Sequence, residues 1–167
     1  MNKTSVIAGG LLLAALLLTA PPAFAILQKG EPAPPIKVST TAGQPVTLAN
    51  YKGYVLVLDF FATWCPPCKE SIPHLVELNR KYGKQGLQTL GMSVDDSAQA
   101  LKEFAAAKKL NYPLAQGDEE LQTEYGLRSI PTIFIINKKG IVAEKYMGFS
   151  AETGRKIEET IKRLLAE

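Results

Sequence analysis

Apolar and polar positions along this chain switch between two periods. Residues 54–62, "YVLVLDFFA", form an almost unbroken apolar run of Val, Leu and Phe. A run of this length between turn residues predicts a strand buried on both faces of a parallel sheet. "LQTLGMSV" (87–94) reads as the next strand, and "PTIFIIN" (131–137) is strongly strand-like. Between the first two, the pattern is helical from the cysteines, Cys65 and Cys68, to about Tyr82. Pro66 and Pro67 suit its first turn, where the missing N–H groups have no intrahelical partner anyway. Pro73 falls inside the pattern and predicts a kink, and Gly83 and Gly86 end the helix.

Asp95, Asp96 and Ser97 offer N-caps for a second helix through Lys109. "YPLAQ" reads as a short extended piece and "DEELQTEYG" as a short helix stopped by Gly126. "NKKG" is a hairpin-type turn, after which "IVAEKYM" (141–147) pairs back antiparallel. Ser150 caps a final helix to about Leu165 that carries Ile157, Ile161, Leu164 and Leu165 on one face. Upstream, residues 28–45 are rich in Pro, Gly and Thr and read as an extended lead-in packed along the domain. "VTL" (46–48) is a short strand candidate, followed by a turn at "LANYKG". Alternating strands and helices that close with a hairpin and a helix predict an α/β fold, a mixed sheet with helices on both faces.

The 167 residues suit one domain with a real core, and 46% hydrophobic with 21% charged residues fits a globular chain. The formal net charge of +3 is spread over separate pairs such as Lys108-Lys109 and Lys138-Lys139. No basic stripe results, so nucleic acid is not an expected partner. The first residues follow different rules. Lys3 provides a positive start, an apolar run covers residues 6–18, and Ala23-Phe24-Ala25 fits a small-x-small cleavage site. The run falls short of the ~20 residues of a membrane-spanning helix. Residues 1–25 are therefore expected to be a secretory signal peptide and residues 26–167 the folded domain, with a retained N-terminal anchor as the alternative. Either way the domain lies outside the cytoplasm, in the periplasm or an equivalent compartment.

That setting sharpens the reading of "FFATWCPPCKE" (60–70), which holds the chain's two cysteines. A bridge across two intervening residues constrains little of the unfolded chain, and a domain of this size needs no staple. Redox chemistry and metal binding remain. A structural zinc site calls for four ligands, and the chain offers two cysteines and one histidine. At a strand-to-helix junction Cys65 meets the free N–H groups and positive dipole end of the helix, which favour a thiolate. Cys68 follows one turn on. The arrangement predicts an exposed attacking sulfur and a buried resolving sulfur within disulfide reach.

The stretches "GEPAPPI", "VLDFFATWCPPC", "YGLRSIPTIFIIN" and the closing "G-I-V" together resemble the TlpA/ResA-like extracytoplasmic thiol–disulfide oxidoreductases of the thioredoxin-fold superfamily. The resemblance spans nearly the whole chain after residue 25. It implies a thioredoxin-like mixed sheet with a strand–helix insertion, supplied by residues 88–115, between the CxxC helix and the proline-containing strand. It also implies that Cys65 is the nucleophile, Cys68 the resolving cysteine, and Pro131, preceded by Ile130, the cis-proline facing the disulfide. Trp64 matches the aromatic before the nucleophile, and Asp59 matches the buried carboxylate beneath the resolving sulfur. Trp64, Pro66, Pro67, Ile130 and Pro131 are then the expected substrate-facing residues. Expected partners are oxidised substrate proteins and a membrane-embedded thiol electron donor. No cofactor, no metal and no stable oligomer are implied.

Two positions depart from the family pattern. Many relatives carry a glutamate three residues after the second cysteine; here that position is Ser71, with Glu70 one residue earlier. A shift of one residue rotates a helical side chain by about 100°, so Glu70 is not expected to inherit the role. Asp59 stands where many relatives carry an uncharged residue. Flanked by "LVL" and "FF", it should be buried, with a raised pKa and a part in proton handling.

Pro66 and Pro67 have no N–H to donate to a Cys65 thiolate, which points to a reductant or mild exchanger rather than a strong oxidant. Targets typical of the family are apocytochrome c thiols and copper-site cysteines. Two other activities would draw on the same thiols. A thiol-based copper delivery or binding module would use the same thiolates as ligands. A peroxiredoxin-like peroxidase fits poorly, because Thr63 lies only two residues before Cys65. His74 is expected at the surface or at a cap, and Tyr125 and Phe134 in the core.

Overall fold

The computed structural model describes residues 27–95 and 97–167. The expected signal peptide (residues 1–25) and Asp96, offered as a cap, lie outside them. Among the described residues no helix is long and apolar enough to cross a membrane.

The main sheet is built around β3 (Val55–Phe61), all seven of whose residues are buried. The unbroken apolar run is explained by that central position. On one side β3 runs parallel to β4 (Leu87–Ser93), and on the other antiparallel to β6 (Thr132–Ile136). β5 (Leu114–Gln116) extends the sheet parallel beyond β4, and β7 (Val142–Met147) closes the other edge antiparallel to β6. The order β5-β4-β3-β6-β7 gives the expected mixed sheet.

The period-2 alternation of β3 sorts its side chains between two cores. Val55, Val57 and Phe61 face α1 (Pro66–Tyr82), α2 (Ala98–Lys108) and α4 (Ala151–Ala166). Leu56, Leu58 and Phe60 face a second cluster that contains Leu27, Ala33 and Ile36 of the lead-in, with Leu121 of α3 (Glu119–Glu124) and Tyr125. Both faces thus carry helix, but α3 is short and the lead-in completes its side. Ile157, Ile161 and Leu164 of α4 are buried as its periodicity predicted. Each such side chain contributes about 1.5–3 kcal/mol by leaving water. Tyr125 and Phe134 are core residues, their rings 5.2 Å apart and nearly perpendicular.

Two strands escaped the sequence reading. The lead-in is not simply extended: β1 (Lys37–Ser39) pairs antiparallel with β2 (Pro45–Thr47). Gly43, at φ +77°, lets the intervening turn close. "YPLAQ" supplies β5, which joins the sheet edge. Three-residue strands are too short to display a period of two. "LANY" (48–51) tightens into a 3-10 turn. Of the caps expected for α2, Ser97 is the N-cap, its hydroxyl accepting the Ala100 N–H, and Asp95 is not.

Candidate active site

β3 ends at Phe61, and four residues later Cys65 opens α1. Cys65 is the N-cap, and its Sγ accepts the Cys68 N–H at 3.3 Å. Pro66 and Pro67 occupy the first two helical positions without a donor. Cys65 and Cys68 form a disulfide with Cα atoms 5.3 Å apart.

Cys65 was expected to expose its sulfur, but in the disulfide state the residue is only 3% exposed, and Cys68 is fully buried. As N-cap, Cys65 turns its side chain back toward the Cys68 amide and into the cluster with Phe61, Ala62 and Cys68. The exposed part of the motif is its apolar rim: Trp64 is 66% exposed, and Pro66 and Pro67 are also exposed.

The β3–β6 register pairs Phe60 with Thr132, which brings Pro131 to the sheet end from which the CPPC segment springs. The Ile130–Pro131 bond is cis, and the Pro131 carbonyl accepts the Gly148 N–H at 2.8 Å. Pro131 is buried, and half-buried Ile130 packs against the cluster that holds both cysteines.

Asp59 pairs with Gly91 on β4 and Ile133 on β6. It shares the parity of Val57 and Phe61, so it faces the α1 side of the sheet, on which both cysteines lie. The carboxyl is fully buried, and neither oxygen has a hydrogen-bond partner. Burial alone pushes its pKa up to about 7. Gly91 leaves the neighbouring position without a side chain, and Leu114, Phe61 and Tyr112 fill the space. Burial, and then the charge of Asp59, holds the Tyr112 hydroxyl in its protonated form far above the usual range. Ser71, in the place of the family glutamate, is fully buried and donates to the Cys68 carbonyl at 3.0 Å, while Glu70 is exposed.

His74 is neither a surface residue nor a cap. Half-buried, it donates its Nε2–H to the Gly154 carbonyl at 3.0 Å and packs on the Phe149 ring. It ties α1 to α4 through a point where a Cβ on Gly154 would lie 3.2 Å from Nε2.

Asp95 is a site-proximal residue that the sequence reading assigned wrongly. Its carboxylate accepts the Thr63 N–H and hydroxyl, both at 2.8 Å, and the Ser93 hydroxyl at 2.5 Å. The Gln116 amide donates to its backbone carbonyl at 2.6 Å. The insertion thereby clamps the loop that leads into Trp64 and Cys65, and the Thr63 hydroxyl is directed to Asp95. A carboxylate directly after a strand could have signalled this, but three consecutive capping residues masked it. Among the described residues, no group of three or more His, Cys, Asp or Glu side chains is placed to hold a metal ion.

A buried disulfide at a helix N-terminus, with a cis-proline loop at the same end of the sheet and a buried carboxyl on the same face, is equipped for thiol–disulfide exchange. Known proteins agree. Residues 29–145 match the AhpC/TSA family. Thiol-disulfide oxidoreductase ResA of Bacillus thuringiensis subsp. konkukian (strain 97-27) is 32% identical over 140 residues, 83% of this chain and 79% of that protein. The Bacillus subtilis (strain 168) ResA is 28% identical over 128 residues, 76% of this chain and 72% of that protein. The crystal structure of a thiol:disulfide interchange protein of the thioredoxin family from Chlorobium tepidum TLS superposes with a TM-score of 0.74 at 28% identity, covering 83% of this chain and 98% of that one.

Proposed function

The chain belongs to the AhpC/TSA family and is a thiol–disulfide oxidoreductase of the ResA type, and from this premise we propose that it works outside the cytoplasm as a reductant of disulfides in other proteins. The observation that carries the direction is the poverty of donors at Cys65. Its Sγ accepts one backbone N–H, that of Cys68 at 3.3 Å, because Pro66 and Pro67 have none to give. Strongly oxidising dithiols owe their potential to a stabilised reduced form. A Cys65 thiolate with a single backbone donor within reach has little of that stabilisation.

In the proposed cycle the Cys65 thiolate attacks one sulfur of the substrate disulfide. A mixed disulfide forms and the first substrate thiolate leaves. Cys68 then loses its proton to Asp59, directly or through one water, and attacks Cys65 Sγ. The Cys65–Cys68 disulfide forms, and the second substrate thiolate leaves. Two electrons pass to the substrate, whose two sulfurs take up protons. Burial with a pKa of about 7 suits Asp59 to accept and return a proton near neutral pH. Exposed Trp64, Pro66 and Pro67 form the substrate-facing rim, with half-buried Ile130 and buried Pro131 behind it.

A membrane-embedded dithiol donor restores the reduced state, by analogy with other extracytoplasmic reductants. The substrate class is proteins whose cysteine pairs must be free to take up haem or copper, such as apocytochrome c. Lys3, the apolar run and the Ala23-Phe24-Ala25 site support export of residues 26–167 after removal of residues 1–25. The direction is tested by equilibrating the Cys65/Cys68 couple with glutathione buffers. The expected potential lies toward that of thioredoxin, about −270 mV, and a value near the −120 mV of the strongest periplasmic oxidants overturns the reading.

A further inference from the structure

A cleft of about 410 Å³ opens beside the proline loop, on the far side of the sheet from α1. Arg128 stands two residues before Ile130, and Met147 lies across from Thr132 in the β6–β7 register. Gly148, the residue after Met147, donates its N–H to the Pro131 carbonyl and so ties the Met147 end of the cleft to the proline loop.

Its charges do not balance. Lys29, Arg128 and Lys145 line it with a single carboxylate, Glu144, which is already ion-paired to Lys29. Arg128 has neither an ion pair nor a hydrogen bond among the described residues. The Lys145 ammonium lies 5.0 Å from the Phe134 ring centroid and 3.5 Å from the Gly126 carbonyl, with no carboxylate partner. Burial first, and then the neighbouring Arg128 charge, lower its pKa. Two cations held close enough to oppose each other gain from an incoming anion. Met147, 65% exposed, and the buried Leu27 add an apolar wall.

We infer that this cleft is a docking site for an acidic and apolar segment of the substrate protein, adjoining the disulfide to be reduced. The inference rests on the oxidoreductase reading above and adds a selection among substrates. A segment that reaches Cys65 across Ile130 and Pro131 continues toward Arg128, Lys145 and Met147. An Asp or Glu meets the two cations, and a neighbouring Leu-type side chain covers the methionine. Basic segments are turned away by the same charges.

The test uses the reduced full-length chain and peptide dimers joined by one disulfide, with the cysteine flanked by Asp-Leu, Asn-Leu or Lys-Leu. At low ionic strength the Asp peptide is expected to be reduced about tenfold faster than the Lys peptide, each exposed charge pair contributing a few-fold. The preference should collapse in about 0.5 M salt, where screening acts within a few ångströms. The double variant Arg128→Ala/Lys145→Ala should reduce all three peptides at the parent's rate for the Asn peptide. Met147→Ala should slow the Asp-Leu peptide but not an Asp-Gly counterpart. Equal rates for Asp and Lys peptides in the parent, or a preference that survives the double variant, overturns the docking site. Failure of the parent to reduce even the Asn peptide overturns the reductase reading itself.

Discussion

Replacing Asp59 with Asn separates what the buried carboxyl does for chemistry from what it does to stability. The carboxyl sits in β3 with no exposure and no hydrogen-bond partner for either oxygen, and burial raises its pKa from 3.8 to about 7. That difference is about 3 pH units, and at ~1.4 kcal/mol per unit it corresponds to about 4 kcal/mol as an order of magnitude. The sign is opposite to that of a salt-bridged carboxylate, because the folded pKa lies above the unfolded one. Below about pH 4 both states keep the proton, and Asp59 exacts no ionisation penalty. Between about pH 4 and 7 the unfolded chain releases the proton while the folded chain retains it, so stability falls as pH rises. Above about pH 7 both states are ionised and the full loss remains.

The amide of an Asp59→Asn variant does not titrate and, like the neutral carboxyl, leaves polar atoms without partners. The two proteins should therefore be similarly stable at pH 4, and the variant more stable by a few kcal/mol at pH 8. Urea unfolding with the disulfide intact, from pH 4 to 9, measures the difference. A difference that stays constant across the range would refute the reasoning. In stopped-flow assays the same variant should resolve mixed disulfides about 10²-fold more slowly near neutral pH. The gap should shrink at alkaline pH, where the Cys68 thiol ionises unaided. Superimposable pH profiles would make Asp59 a bystander in the sheet.

Further predictions concern the residues that frame the site. Asp95→Ala strands the Thr63 N–H and hydroxyl and the Ser93 hydroxyl, so it should cost about 2–4 kcal/mol in chemical denaturation and alter the rate at which Cys65 is alkylated. Asp95→Asn, which keeps one acceptor, should recover part of both. Gly91→Ala would place a Cβ 2.4 Å from Leu114 Cδ2 and 3.1 Å from Phe61 Cε1. This overpacking should destabilise the protein by about 1–3 kcal/mol in the same assay, and a neutral result would mean that the layer over Asp59 is looser than described.

How much of this could be read from the chain depended on whether each residue's role was local. The seven residues of β3 declared a buried central strand because burial on both faces leaves no room for polar alternation. α4 was equally legible, since Ser150 caps it and its apolar face repeats with the helical period. The cysteines announced themselves by spacing and by their place between strand and helix. What remained hidden was non-local. Three-residue β1 and β5 exist because of what they pair with, and nothing in "KVS" or "LAQ" carries that partner. Asp95 looks like a helix cap in sequence, but its partner Thr63 lies 32 residues away. The exposure of Cys65 was misjudged for a similar reason: an N-cap position says which backbone donor the sulfur meets but not what packs over it. The unpaired charges of Arg128 and Lys145 emerge only when the loop after α3 is set beside β7.

In the proposed cycle Cys65 attacks the partner's disulfide and Cys68 resolves the intermediate. Non-reducing mass analysis after mixing reduced single-cysteine variants with disulfide-bonded protein substrates tests it most directly. Cys68→Ser should accumulate covalent adducts through Cys65 that dissolve on addition of dithiothreitol, whereas Cys65→Ser should form none and show no reductase activity. Adducts formed by Cys65→Ser and absent from Cys68→Ser would reverse the two roles, and the absence of adducts from both would contradict thiol–disulfide exchange as the function of this site.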